Sequence, residues 1–140
     1  MFKLKHEINI SSDKENVFRA LITREGIEGW WTADVEIRPE VGSKAVFGFF
    51  NRETVFTMVI DKITPQKVEW SCVAGPEEWV GTKQIFELED LDSGLTKLKF
   101  THSNWESDEG AFPLCNTTWG HLMVILKEYC EGMKPGPYFK

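Results

Sequence analysis

The sequence predicts an α+β domain in which a curved, seven-stranded antiparallel sheet wraps around one long C-terminal helix. Three observations carry that expectation: an opening segment alternates apolar and polar residues, a central run of short β-type segments is punctuated by turn residues, and a closing segment repeats apolar residues at helical spacing. Of 140 residues, 41% are hydrophobic, which is core material for one domain and too little chain for two, so 1–140 is read as a single unit.

From Phe2 to Ile10, the side chains of Phe2, Leu4, His6, Ile8 and Ile10 share one face and Lys3, Lys5, Glu7 and Asn9 the other, as in a half-buried strand. Ser12 and Glu15 then have the form of a capping box, and Val17, Phe18, Leu21 and Ile22 recur at helical spacing until Gly26 interrupts. A second short helical turn is expected from Ile27 to Trp31. Six strands follow at about 34–38, 44–50, 53–63, 67–73, 79–90 and 95–103. Turn chemistry separates them at Pro39 to Gly42, Asn51-Arg52, Thr64-Pro65-Gln66, Gly75-Pro76 and Asp92-Ser93-Gly94. Connections so short exclude parallel crossovers. The long segment at 79–90 is where a β-bulge is expected.

Cys115, Trp119, Leu122, Leu126, Tyr129 and Met133 step by threes and fours, and Met123 and Cys130 widen this stripe into the buried face of a long helix. Gly132 stops the helix, Pro135 and Pro137 keep it from resuming, and either Gly110 or Pro113 marks its first turn or a kink. Only the sheet is large enough to cover that stripe.

The net charge of −6, from 16 basic and 22 acidic residues without a basic cluster, weighs against a nucleic-acid partner. The acidic runs at Glu87, Glu89, Asp90 and Asp92, and at Glu106, Asp108 and Glu109, read as solvated loop ends. No apolar stretch approaches the length of a membrane span, and the charged opening residues are unlike a signal peptide. Cys72, Cys115 and Cys130 are odd in number and widely spaced, as in a cytoplasmic protein with reduced thiols.

Strand parity turns Phe56, Met58 and Ile60 inward, then Val68, Trp70 and Cys72, then Thr82, Gln84, Phe86 and Leu88, and finally Thr96, Leu98, Phe100 and His102. The concave face is therefore aromatic and rich in sulfur. Six tryptophans are many for this length. Trp70 and Trp119 suit either core packing or the lining of a pocket, whereas Trp30, Trp31, Trp79 and Trp105 sit at junctions where a large residue serves as a plug.

The Trp30-Trp31 pair, the Thr64-Pro65 turn before Trp70, the Thr96-x-Leu-x-Phe-x-His102 strand and the Trp119-Gly120-x-Leu122-x(3)-Leu126-Lys127-x-Tyr129-x-Glu131-Gly132 helix resemble the SRPBCC (START-like, helix-grip) superfamily. Within it, the chain resembles bacterial single-domain proteins related to the C-terminal domain of the activator of the heat-shock-protein-90 ATPase. The resemblance spans Phe2 to Gly132. It implies a deep apolar cavity between sheet and long helix, used across the superfamily for lipids, hormones, polyketides or aromatic substrates.

The expected function is a cytoplasmic binding protein for a small apolar or aromatic ligand. From the sheet, Phe56, Met58, Trp70 and Cys72 are the candidate ligand-binding residues, with Gln84, Phe86, Phe100 and His102 on the next strands. From the helix, Cys115, Trp119 and Met123 join them. A co-chaperone-like module that stimulates a chaperone ATPase is the alternative the resemblance suggests. A cyclase- or hydratase-type enzyme would rest on His102, but no second group is positioned by any motif, so no catalytic residue is assigned. His6, Cys72, His102 and Cys115 lack the spacing of a metal site, and phosphate-cradling and G-x-S-x-G motifs are absent, so no cofactor is expected. His121 is expected on the exposed side of the helix, and the assembly is a monomer or homodimer.

Overall fold

The computed structural model describes residues 1–139. Strand β1 (Phe2–Ile10) leads into helices α1 (Lys14–Ile22) and α2 (Arg24–Trp30). Strands β2 (Asp34–Glu36), β3 (Lys44–Phe49), β4 (Thr54–Thr64), β5 (Lys67–Ala74), β6 (Lys83–Asp90) and β7 (Thr96–Trp105) follow, and helix α3 (Phe112–Cys130) completes the helix-grip fold. The strands form one antiparallel sheet in the order β1-β7-β6-β5-β4-β3-β2.

Register on the outer face is reinforced by charge. Glu7 lies opposite Lys99, Lys99 opposite Glu87, and Glu87 opposite Lys67, an alternating row across four strands. On the inner face the expected parity holds for Thr96, Leu98, Phe100 and His102, all buried, as are Thr82, Gln84, Phe86 and Leu88. Phe2 departs from it at 44% exposed, because the register of β1 shifts between Phe2 and Leu4. The other shifts lie in β4, between Thr57 and Met58 and between Ile60 and Lys62. The 79–90 segment begins as a turn instead of a bulged strand: Thr82 N donates to Trp79 O at 2.9 Å and Gly81 has φ +91°.

The expected Ser12–Glu15 capping box is replaced by an Asp13 cap. Ser12 is still held by the sheet, its N donating to Ile10 O and its O accepting from Thr96 Oγ1, so the helix begins one residue later. The Asp13 carboxylate accepts from Asn16 N at 2.7 Å, where a negative charge also favours the helix dipole. Thr23, not Gly26, separates the two short helices: its hydroxyl donates to Arg19 O and accepts from Gly26 N. Gly26 is instead a packing residue inside α2, since a Cβ there would stand 2.6 Å from the Ala20 Cα. Trp30 Nε1 closes the corner by donating to Ala20 O at 2.9 Å.

Helix α3 begins after Gly110 (φ +64°), with Pro113 in its first turn, and Glu78 Oε2 accepts from Ala111 N at 3.0 Å. Its far end is tied more heavily. Asn16 Nδ2 donates to Cys130 O, Lys127 Nζ to Asn9 O, and Ser11 N to Glu131 Oε2. Those bonds explain the polar residues of the Lys127-x-Tyr129-x-Glu131 motif: they lock the C-terminal half of the helix to the end of β1. Trp119, Leu122, Met123, Leu126 and Cys130 face the sheet and His121 is exposed. No helix among the described residues is long and apolar enough to cross a membrane.

Gly26→Ala is expected to lower folding stability by about 1–3 kcal/mol, because the added methyl meets backbone that cannot yield. Gly29→Ala should cost less, since its new methyl meets the Tyr129 ring, a movable side chain. Urea midpoints of the two variants check the order.

Candidate ligand pocket

The grip is not filled along its whole length. Beside the N-terminal half of α3 a cavity of about 260 Å³ opens toward solvent. Trp31 and Trp119 form its floor, Phe49 and Phe56 of adjacent strands one wall, and Trp79 of the β5–β6 loop the next. Cys115, Thr118 and Leu122 of α3 supply the helix side, with Thr54 opposite. Phe50, Leu114 and Phe139 stand at the rim, Phe50 at 57% and Leu114 at 72% exposure.

Each wall has a local cause. Phe56 lies face to face with Trp79, ring centroids 4.2 Å apart at 14°, which seats the loop on β4. Trp31 packs parallel to Trp70 at 6.2 Å and against Phe47 at 4.7 Å, so the floor rests on solid core. Phe50 is carried on a turn in which Phe50, Asn51 and Arg52 have φ of 53°, 54° and 65°. Left-handed backbone at non-glycine residues is strained, and an ion pair holds it here: Arg52 Nε and Nη2 donate to the two Asp34 carboxylate oxygens at 3.0 and 2.8 Å. The Arg52 guanidinium keeps the Asp34 carboxyl below the usual carboxylate range. Gly48 makes room, since a Cβ there would stand 2.2 Å from Asp34 Oδ2.

Beneath the floor lies a buried polar network. Trp119 Nε1 donates to His102 Nδ1 at 3.1 Å. An indole nitrogen can only donate, so Nδ1 carries the lone pair and the proton sits on Nε2. Nε2 stands 2.8 Å from Thr82 Oγ1, which in turn donates to Trp79 O at 2.6 Å. The Gln84 carboxamide is also 2.8 Å from Nε2 and, with the proton there, must turn its oxygen toward the ring. Burial pushes the imidazole down from its ordinary 6.5 to about 3, so the ring is neutral. His102 thus holds Trp119 and, through Thr82, Trp79, two aromatic residues of the pocket.

Of the residues expected to bind ligand, Phe56, Cys115 and Trp119 line this cavity. Met58, Trp70, Phe86 and Phe100 are packed in the core beside it, as are Cys72 and Met123. Gln84 and His102 belong to the network below. The cavity thus sits nearer the end of the sheet than strand parity suggests. Trp31 and Trp79, expected as plugs, are lining residues. Phe49 and Phe50 could have been suggested by the aromatic run ahead of Asn51, but Phe139 follows Pro-Gly-Pro and carries no local signal. Burial pushes the Cys72 thiol up to about 11, Cys130 to about 12, and Cys115 upward as well, so all three are neutral and free. Among the described residues no three His, Cys, Asp or Glu side chains converge to hold a metal ion.

A helix-grip sheet with a cavity beside its long helix defines a START-like, SRPBCC protein. The chain belongs to the family described as activator of Hsp90 ATPase homolog 1-like proteins, whose model matches residues 11–131. It is similar to the Aha1 protein of Colwellia psychrerythraea, solved in solution as a dimer, at 34% identity over 96% of this chain and 99% of that one, with a TM-score of 0.84. Protein MLL2253 of Mesorhizobium loti shares the fold at 19% identity, covering 91% and 96% of the two chains, with a TM-score of 0.80. DynU16, a protein of the dynemicin biosynthetic locus, shares it at 17% identity and a TM-score of 0.79 over 97% of this chain but 49% of its own. No curated protein sequence matches the chain.

Stability should fall with acid through His102. The unfolded chain takes up a proton near pH 6.5 that the folded protein refuses until about pH 3, so the contribution of neutral His102 is complete above pH 6.5 and is lost as pH falls toward 3. His102→Gln should flatten the dependence of unfolding free energy on pH between 6.5 and 5 by up to about 1.4 kcal/mol per pH unit, measured by urea titration.

Proposed function

We propose that the chain is a binding protein for a small apolar or aromatic ligand, held in the cavity between β3, β4 and the N-terminal half of α3. The observation that carries this reading is a cavity of about 260 Å³ with an almost wholly apolar lining, kept open by aromatic walls that are themselves braced from behind. Phe56, Cys115 and Trp119 touch the ligand, while His102, Gln84, Trp70, Phe86 and Phe100 position those that do. Met58, Cys72 and Met123 support the same wall. Three free cysteines suit a cytoplasmic setting, and the dimeric relative supports a homodimer.

Fluorescence titration with neutral 1-naphthylamine, and calorimetry with 1-decanol, test the reading. At least one should bind saturably, and Cys115→Phe, which places a ring in the cavity, should weaken it at least tenfold without loss of helix content. Saturable binding of neither compound by the wild-type protein sinks the proposal.

Family membership favours a second reading, a co-chaperone-like module that stimulates a chaperone ATPase. Pull-down with the cognate chaperone and an ATPase assay are expected to show binding and stimulation on this reading. No binding and no stimulation retire it.

A further inference from the structure

Resting on the ligand-binding reading, we infer that the cavity selects an uncharged aromatic guest of two fused rings, and that Phe139 sets the upper limit of its size.

Volume bounds the guest first. A dry apolar cavity of about 150 Å³ accepts a single benzene ring. The cavity here, about 260 Å³, is larger by rather less than a factor of two, which is room for a second fused ring. Its lining then favours an aromatic guest over a saturated one. Seven lining residues are aromatic, and the stacked Phe56–Trp79 pair offers ring faces and edges to a third flat partner.

Charge is disfavoured by what surrounds the space. Among the described residues no Lys, Arg, Asp, Glu or His lines the cavity, so a carboxylate or ammonium there would be desolvated without a partner from them. The charged pair beside the Phe50 turn, Arg52 and Asp34, lies outside the lining and is already joined by two hydrogen bonds. Thr118 Oγ1 donates to Leu114 O at 3.0 Å and keeps only lone pairs for a guest, which a phenol or aryl N–H can use.

Phe139 closes the remaining side. After Gly132 the chain leaves α3 and returns across the pocket through Pro135, Gly136 (φ +75°) and Pro137. Tyr138 N and Phe139 N donate to the carbonyls of Trp30 and Trp31 at 3.2 and 3.0 Å, pinning the segment directly beside the floor tryptophan. The Phe139 ring stands edge-on to Phe49 at 4.9 Å and to Phe50 at 5.8 Å, so its truncation enlarges the cavity without breaking the sheet.

Calorimetry on the full chain with phenol, 2-naphthol, 9-phenanthrol, decahydro-2-naphthol, 2-naphthoate and 1-decanol tests the inference. Wild type should bind 2-naphthol about tenfold more tightly than phenol or 2-naphthoate, and about threefold or more above decahydro-2-naphthol, while rejecting 9-phenanthrol. Phe139→Ala should gain 9-phenanthrol binding, and Phe139→Leu, which keeps most of the packing, should fall between the two. Equal affinity for 2-naphthol and its saturated analogue, or 9-phenanthrol binding that does not respond to either Phe139 variant, overturns the inference. Binding of 1-decanol with no aromatic compound bound overturns it while leaving the ligand-binding reading intact, and silence from all six compounds removes both.

Discussion

The hydrogen bond from Trp119 Nε1 to His102 Nδ1 is the contact on which the rest of the pocket depends. It joins the long helix to β7, second in the sheet order, where both side chains are buried, and either group left alone there would cost about 1–3 kcal/mol. It also selects the imidazole tautomer, and that tautomer determines what Thr82 and Gln84 must present. One bond therefore orients two cavity aromatics, Trp119 directly and Trp79 through the Thr82 hydroxyl. The histidine acts as a brace, and its neutrality is a condition of the packing around it.

The two halves of the long helix are anchored differently, and the cavity lies beside the first. Asn16, Lys127 and Glu131 tie its C-terminal half to β1 and α1, whereas Glu78 ties its first turn to the β5–β6 loop and Trp119 ties its N-terminal half to His102. Beside the N-terminal half the sheet presents Phe49 and Phe56, and a hollow remains. The strained turn from Phe50 to Arg52 borders the same hollow, and its last residue is paired with Asp34. Strain retained beside a cavity fits a site that must keep its mouth shaped in the absence of a guest.

Family membership and fold do not by themselves assign a ligand, because helix-grip sheets carry unrelated sites on one scaffold. What separates members is the detail of the open end: which residues stand at the rim, whether a charge enters the lining, and what crosses the mouth. In this chain the rim is apolar, the neighbouring Arg52 and Asp34 neutralise each other, and Phe139, following a Pro-Gly-Pro segment, covers one side.

Periodicity in the chain was sufficient for most of the elements and inward faces, and short turns for antiparallel pairing, since alternation and helical spacing are local properties that burial enforces wherever the strand or helix lies. Thus Phe100, His102 and Trp119 were legible as interior residues. That β1 pairs with β7, that 79–82 is a turn and that Phe2 is exposed were not legible there. The cavity itself was decided only in three dimensions. Whether Trp70 fills space or borders it depends on how Trp31 lies against it, and whether Phe139 lines a pocket depends on two carbonyls more than a hundred residues away. A void is a shortfall in volume among side chains distant in sequence. No single segment encodes that shortfall, so the residues around it become a site only when the tertiary structure brings them together.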